Sequence, residues 1–341
     1  MVFVRVLAKP ITFRYLSLIL ILYGSLSASI VAEKNCVVLA ANVFNNVGTV
    51  DLFHTLLSDL EGMLQAAGFS TGLCIYEDNS RDGTDVRVSQ WNQSRRGTPF
   101  TRILADKTPP TATERVSRIA VVRSRLLNLI HEVLAEMQNC SGRYILFFND
   151  VVFEPSDVHK MVLDGIRQNF DMLCAVDVYR GFYDRWVTRD ASGLIPSRWA
   201  SVFFTGKTGS RIRNKDATEW RTDFWPSRAC WNGAVLVNAE SAPRSFRSAR
   251  NDECYASECK LFVDDLLKER GGQARVAVRL DTLVAYDVIH LLLHKFVIRT
   301  YASHIAAFQS LGELIVKAKH RYQAERVLQS DPCPKLPMLC C

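Results

Sequence analysis

The chain has 341 residues, 42 Lys and Arg against 35 Asp and Glu, a formal charge of +7 and a hydrophobic fraction of 48%. That balance excludes a disordered chain, and 17 Gly with 11 Pro exclude a fibrous or low-complexity one. The basic residues are scattered, with no basic-aromatic repeat to suggest a nucleic-acid partner, and the length suits one enlarged domain with a sizeable core.

Arg5, Lys9 and Arg14 precede an uncharged stretch from Tyr15 to Ala32, which Glu33 and Lys34 close. A basic end followed by an apolar run reads as a signal peptide or an uncleaved signal anchor, at the short limit for a bilayer span. The positive flank keeps that end cytosolic and puts the rest in the lumen, a type II topology in the secretory pathway or Golgi, with secretion after cleavage as the alternative. The expected division is 1–32 for this segment, 33–330 for the luminal domain and 331–341 for a Cys- and Pro-rich tail. A luminal address permits disulfides. Cys36, Cys74 and Cys174 lie in apolar runs and are expected to be free core thiols, whereas Cys230, Cys254, Cys259, Cys333, Cys340 and Cys341 are the expected disulfide partners. The sequons Asn92-Gln93-Ser94 and Asn139-Cys140-Ser141 agree with the lumen.

Beyond the leader, strands and helices alternate. Cys36–Ala41 is a short apolar run, as a strand buried on both faces requires. Val50, Phe53, Leu57, Leu60 and Leu64 give helical spacing over Thr49–Ala67, with Gly68 as the stop. Thr71–Tyr76 reads as a strand, 85–98 as a helix or irregular excursion, and Phe100–Leu104 as a third strand. A long helix follows over Glu114–Gln138. Then come a strand at Tyr144–Phe148, a helix at Pro155–Asn169 and a strand at Met172–Val176. Residues 180–230 show little periodicity. Ala234–Asn238 and Ala274–Val278 read as further strands, and the chain from His290 onward as helical. This alternation predicts an α/β fold with a mostly parallel sheet flanked by helices.

Ligands of such sheets bind beyond the carboxyl ends of the strands, and polar segments fall there. Glu77-Asp78-Asn79-Ser80-Arg81-Asp82-Gly83-Thr84 follows one strand and offers acceptors for a ribose or a base, or forms an ordinary turn. Asn149-Asp150 follows another, where the hard oxygen of Asp150 can share Mn²⁺ or Mg²⁺ with a diphosphate. Ser257-Glu258-Cys259-Lys260 with Asp264-Asp265 reads as a source of carboxylates or as a solvated helix face. On the long helix, Arg115, Arg118 and Arg125 share a stripe, and Arg123 lies off it with the better claim to an inward role. In Cys230-Trp231-Asn232-Gly233 the ring could stack on a sugar or be buried.

In this order these segments, with Val176-Asp177-Val178-Tyr179, Tyr183-Asp184-Arg185-Trp186-Val187 and Arg189-Asp190, resemble the cryptococcal (fungal capsule-associated) α-1,3-mannosyltransferase family from about Cys36 to Tyr322. The resemblance implies a GT-A-like, Rossmann-like fold in a single enlarged domain, a GDP-mannose donor, a glycan acceptor, divalent Mn²⁺ or Mg²⁺, and retention of configuration. It implies donor contacts from Ala41, Glu77, Asp82, Arg123 and Asn149, and a metal-binding acid in Asp150. Trp231 and Asn232 match the acceptor side, and Glu258, Asp177 and Asp265 are the candidate catalytic carboxylates. A glycosyltransferase with another nucleotide-sugar donor and a catalytically silent glycan-binding protein of the same fold are the alternatives.

Overall fold

The structure is a computed structural model, and it describes residues 34–108, 110–179, 182–196 and 223–296. The expected signal segment and the tail bearing Cys333, Cys340 and Cys341 lie outside the described residues. Among the described residues no helix is long and apolar enough to cross a membrane.

Ten strands form the sheet in the order β3-β2-β1-β4-β9-β6-β10-β8-β7, with β5 paired to β10. The strands are β1 (Lys34–Val43), β2 (Ser70–Asp78), β3 (Thr101–Asp106), β4 (Cys140–Phe148), β5 (Val152–Phe153), β6 (Met172–Val178), β7 (Arg189–Asp190), β8 (Phe224–Ala229), β9 (Ala234–Asn238) and β10 (Val276–Ala285). The first four run parallel, β9 is antiparallel to both β4 and β6, and β6 is parallel to β10. The sheet is therefore mixed, with six parallel strands whose carboxyl ends share one edge, and β9 enters from that edge in the opposite sense.

Alternation along β1 sends Val37, Leu39 and Ala41 to one face and Cys36, Val38 and Ala40 to the other. The first face is covered by α1 (Val50–Ala66), α2 (Thr84–Ser94) and α4 (Pro155–Arg167), through Phe53, Leu57, Trp91, Val158 and Met161. The second is covered by α3 (Arg115–Glu136) and α5 (Glu258–Glu269), through Leu126, Ile130, Phe262 and Leu266. Glu114 caps α3 by accepting from the amides of Val116 and Ser117 at 2.8 and 2.7 Å, and Ser257 caps α5 by accepting from Lys260 N at 3.1 Å. Residues 288–296 are helical.

Three expectations are corrected. Cys36 pairs with Cys140 and Cys174 with Cys230, so two of the expected free thiols are disulfides, while Cys259 is a buried free thiol; Cys74 is free as expected. An apolar run therefore hides a disulfide as readily as a thiol. The last long strand extends to Ala285 rather than ending at Val278, because the charged side chains that interrupt its apolar run are paired within the fold. Arg279 is fully buried, bonds Asp164 and Asp281, and lies over the Phe224 ring at 5.2 Å. The stretch read as aperiodic holds β7 and β8, of which β7 is only two residues long.

Candidate active site

Two loops at the carboxyl edge are fastened together. Asn45, Asn46 and Val47, after β1, donate their amides to Ser80 Oγ (2.9 Å), Thr84 Oγ1 (2.7 Å) and Asp82 Oδ2 (3.0 Å). Asp82 also accepts from Thr84 N and Oγ1 through Oδ1, at 3.0 and 2.7 Å, and these bonds lower its pKa. Both its oxygens thus help to hold the turn. Ala41 is fully buried on β1, its side chain in the core beneath α1.

Acids at the end of β2 are built differently. Glu77 is fully buried; its Oε1 accepts from Ser80 N at 2.6 Å and its Oε2 has no partner. Asp78 pairs with Arg118 at 3.0 Å through Oδ2, while its buried Oδ1 has none. A buried acceptor without a donor costs about 1–3 kcal/mol, so these oxygens are poised for a donor.

The densest charge lies where β4, β6, α3 and α5 meet. Arg123 reaches inward from α3. Its Nε lies 3.1 Å from Glu258 Oε1, an NH2 nitrogen donates to Asn149 Oδ1 at 3.1 Å, and its guanidinium sits 5.2 Å from the Trp231 ring. Asn149 donates its amide to Gly233 O at 2.7 Å, which ties the end of β4 to the turn before β9. Gly233 has φ +71, and a Cβ there would stand 2.6 Å from Val284 Cγ2, 3.1 Å from Val151 Cγ1 and 3.5 Å from Asp177 Cβ. The positive φ and the close approach to Val284 and Val151 both require glycine here.

Asp150 is exposed to solvent, and its carboxyl pKa is raised by partial desolvation against the pull of Arg123. Asp177, at the penultimate position of β6, is fully buried. Its Oδ1 accepts from Asp184 N at 3.1 Å and its Oδ2 has no partner. Burial, then the neighbouring Asp184 charge, push its pKa well up. Asp184 is raised to about 7, chiefly by desolvation; Arg123 and Arg189 oppose the rise and Glu258 adds to it. Tyr286, just past β10, is raised by burial and then by the charges of Asp177, Asp150 and Asp184, which places it among these acids. Glu258 pairs with this buried guanidinium, Asp150 and Asp184 feel its charge, and Asp177 joins the group through Asp184. Like charges so crowded hold a proton, bind a cation or meet a ligand's hydroxyls.

The arrangement brings together Arg123, Asn149, Asp150, Asp177 and Glu258 of the residues read from the sequence. It excludes Trp231 and Asn232 as an exposed acceptor surface. Trp231 is 1% exposed, its ring packed on Phe147, Phe246 and Phe262. Asn232 is fully buried, donating to Ala175 O at 3.0 Å and accepting from Thr188 Oγ1 at 2.7 Å. Asp265 also stands apart, paired through both oxygens with Arg247 at 2.7 and 2.8 Å. In the sequence Asp184 stands only within the Tyr183–Val187 segment, with no role given to it, and Tyr286 is not singled out. Tyr286 had a signal, since it follows a strand that ends on the same edge.

For a divalent cation, no three His, Cys, Asp or Glu side chains form a metal-holding group among the described residues. The solvent-facing oxygen of Asp150 suits the mode in which Mg²⁺ or Mn²⁺ takes one or two carboxylates and completes its shell with substrate phosphates and water.

Residues 36–265, more than half of the chain, match the family model described as Cryptococcal mannosyltransferase 1. The alpha-1,3-mannosyltransferase CMT1 of Cryptococcus neoformans var. neoformans is 27% identical over 161 residues, which cover 42% of this chain and 33% of that protein. The chain thus matches about a third of the length of that curated relative. Among solved structures, the mannosyltransferase PcManGT from Pyrobaculum calidifontis, in complex with GDP-Man and Mn2+, has a TM-score of 0.43 at 10% identity, covering 74% of this chain and 57% of that one. By the match across residues 36–265, the chain belongs to the cryptococcal mannosyltransferase 1 family.

Proposed function

We propose that the chain is a glycosyltransferase that moves mannose from GDP-mannose to a mannose-containing glycan, with α-1,3 linkage, retention of configuration and a divalent metal. The observation that carries this reading is the grouping of Glu258, Asp150 and Asp184 about Arg123, with Asp177 bonded to Asp184, at the carboxyl edge and inside the family-matched segment.

In this reading the partnerless oxygens of Glu77 and Asp78 take hydrogen bonds from the nucleoside. Asp150 would hold the metal, which supplies positive charge against the departing diphosphate. Arg123 fixes Glu258 and Asn149 in place and lowers the cost of keeping acids together. Asp177 and Glu258 stand behind Asp150 as the buried acids of the site, and the partnerless Oδ2 of Asp177 would accept from a sugar hydroxyl that reaches it. The two disulfides support an oxidising compartment, hence a luminal domain reached through the amino-terminal segment.

Purified protein given GDP-mannose, Mn²⁺ and a mannoside is expected to release GDP, and Asp150→Ala to abolish most of that release. Product linkage is read by NMR of the purified disaccharide. No nucleotide release from GDP-mannose, with release from a UDP-sugar, would move the reading to another donor. No release from either would sink it.

A further inference from the structure

The acid cluster has an aromatic rim, of which Tyr183 and Trp186 lie in the Tyr183–Val187 segment singled out in the sequence and Tyr255 does not. Among the described residues the exposed large aromatics are Phe44, Tyr183, Trp186, Tyr255 and Phe296, and three of these five border the cluster. Tyr183 stacks edge-on to Tyr286, with ring centroids 4.9 Å apart. Trp186 and Tyr255 come from segments far apart in sequence, yet their ring centroids lie 6.4 Å apart with planes 32° from parallel. They are 44% and 59% exposed.

The Tyr255 ring and the backbone that carries Trp186 are both held. The Tyr255 hydroxyl donates to Glu114 Oε1, the α3 cap, at 2.9 Å. The Trp186 carbonyl accepts from Arg189 NH1 at 3.0 Å, and Val187 N donates to Asp184 Oδ1 at 3.3 Å. Each ring is also adjacent to an acid of the cluster. Trp186 lies two residues past Asp184, and Tyr255 lies three before Glu258, whose charge it senses. A pair of exposed aromatic faces in mutual contact, close in sequence to hydrogen-bond-accepting acids, has the chemistry of a sugar site: flat rings meet the apolar C–H face of a pyranose, and carboxylates accept from its hydroxyls. Two rings are far too small a patch for a stable protein interface, which needs about 800 Å² per partner.

We propose that Trp186 and Tyr255 form the platform on which a pyranose ring of the acceptor glycan stacks. They take the acceptor role that the buried Trp231 cannot fill. The proposal rests on the glycosyltransferase reading for its reaction, but its binding step is measurable without turnover. Methyl α-mannoside and α-1,3-mannobiose are the probes. Titrated into ¹⁵N-labelled protein, α-1,3-mannobiose is expected to shift the Trp186 indole N–H cross-peak, assigned by its loss in Trp186→Phe. In GDP-release assays, Trp186→Ala and Tyr255→Ala are each expected to raise the acceptor KM about tenfold more than the donor KM, with Trp186→Phe and Tyr255→Phe restoring most of the loss. Acceptor and donor KM rising together, or an indole peak that ignores both sugars, overturns the platform. A shifted indole peak with no GDP release from wild type keeps the platform and overturns the transferase reading instead.

Discussion

Arg123 and Glu258 form an ion pair at 3.1 Å, with side chains only 14% and 6% exposed, and it joins α3 to the first residue of α5. Removing one partner of such a pair strands the other charge in a dry setting, at about 3–5 kcal/mol. Arg123→Leu is expected to lower unfolding stability by that order in urea titrations. Glu258→Gln is expected to cost less, because the amide oxygen still accepts. Adding Glu258→Gln to Arg123→Leu is expected to recover part of the loss, and the double-mutant cycle gives the coupling.

Asp184 gives the native state a pH signature. Its carboxyl, ordinarily near 3.8, is raised to about 7. The folded state therefore binds more protons than the unfolded one between those values, so this group's contribution is fully present below 3.8 and is lost as pH rises through about 7. Asp184→Asn is expected to flatten the fall in melting temperature across that window and to leave the mutant relatively more stable at pH 8. Thermal melts across the range decide it; parallel wild-type and mutant curves would refute the assignment.

Gly233→Ala is expected to impair the site more than a surface change would. Its Cβ would sit 2.6 Å from Val284, at φ +71. Overpacking with an unfavourable backbone costs about 1–3 kcal/mol. The atoms that must give way are the Val284 and Val151 side chains, with Asp177 Cβ in ordinary contact just beyond them. A GDP-release rate that falls by more than the melting temperature explains locates the effect at Asp177.

Much of this site was legible because physical chemistry writes it along the chain. An apolar run ending in an acid marks a buried strand delivering a carboxylate to the sheet edge, and Glu77, Asp150 and Asp177 were found that way. Arg123 was found because it breaks the polar stripe of its helix. What was not legible depends on three-dimensional pairing. Ala234–Asn238 reads as a strand, but nothing in its residues says that it runs against its neighbours. A Trp beside Asn and Gly has the same local sequence whether it faces a sugar or the core. Arg279 and Asp281 look like the end of a strand until Asp164 is placed beside them.

Asp265 supplies a control for the role of acids on α5. Arg247 holds it through both oxygens, together with Glu253. Asp265→Ala is expected to leave GDP release within about twofold and to reduce stability by about 1 kcal/mol, the scale of a partly exposed ion pair. An Asp265→Ala enzyme as inactive as Asp150→Ala would return Asp265 to the reaction.

The Cys36–Cys140 disulfide clamps the amino ends of β1 and β4, across a sequence separation of 104 residues. Closing so long a loop is worth roughly 2–5 kcal/mol. The Cys36→Ser, Cys140→Ser double variant is expected to unfold at correspondingly lower denaturant while keeping its KM for donor, since the bond lies at the edge of the sheet opposite the acids.

The antiparallel β9 acts as a spacer. It keeps β4, whose end leads to Asp150, and β6, which carries Asp177, from being neighbours, setting them two inter-strand steps apart, about 10 Å. Pairing β4 directly with β6 would close that distance to about 5 Å. The width between the two acids is thereby written into the strand order. That separation is set by hydrogen-bonded backbone rather than by any loop, and the turn that holds Gly233 bridges it.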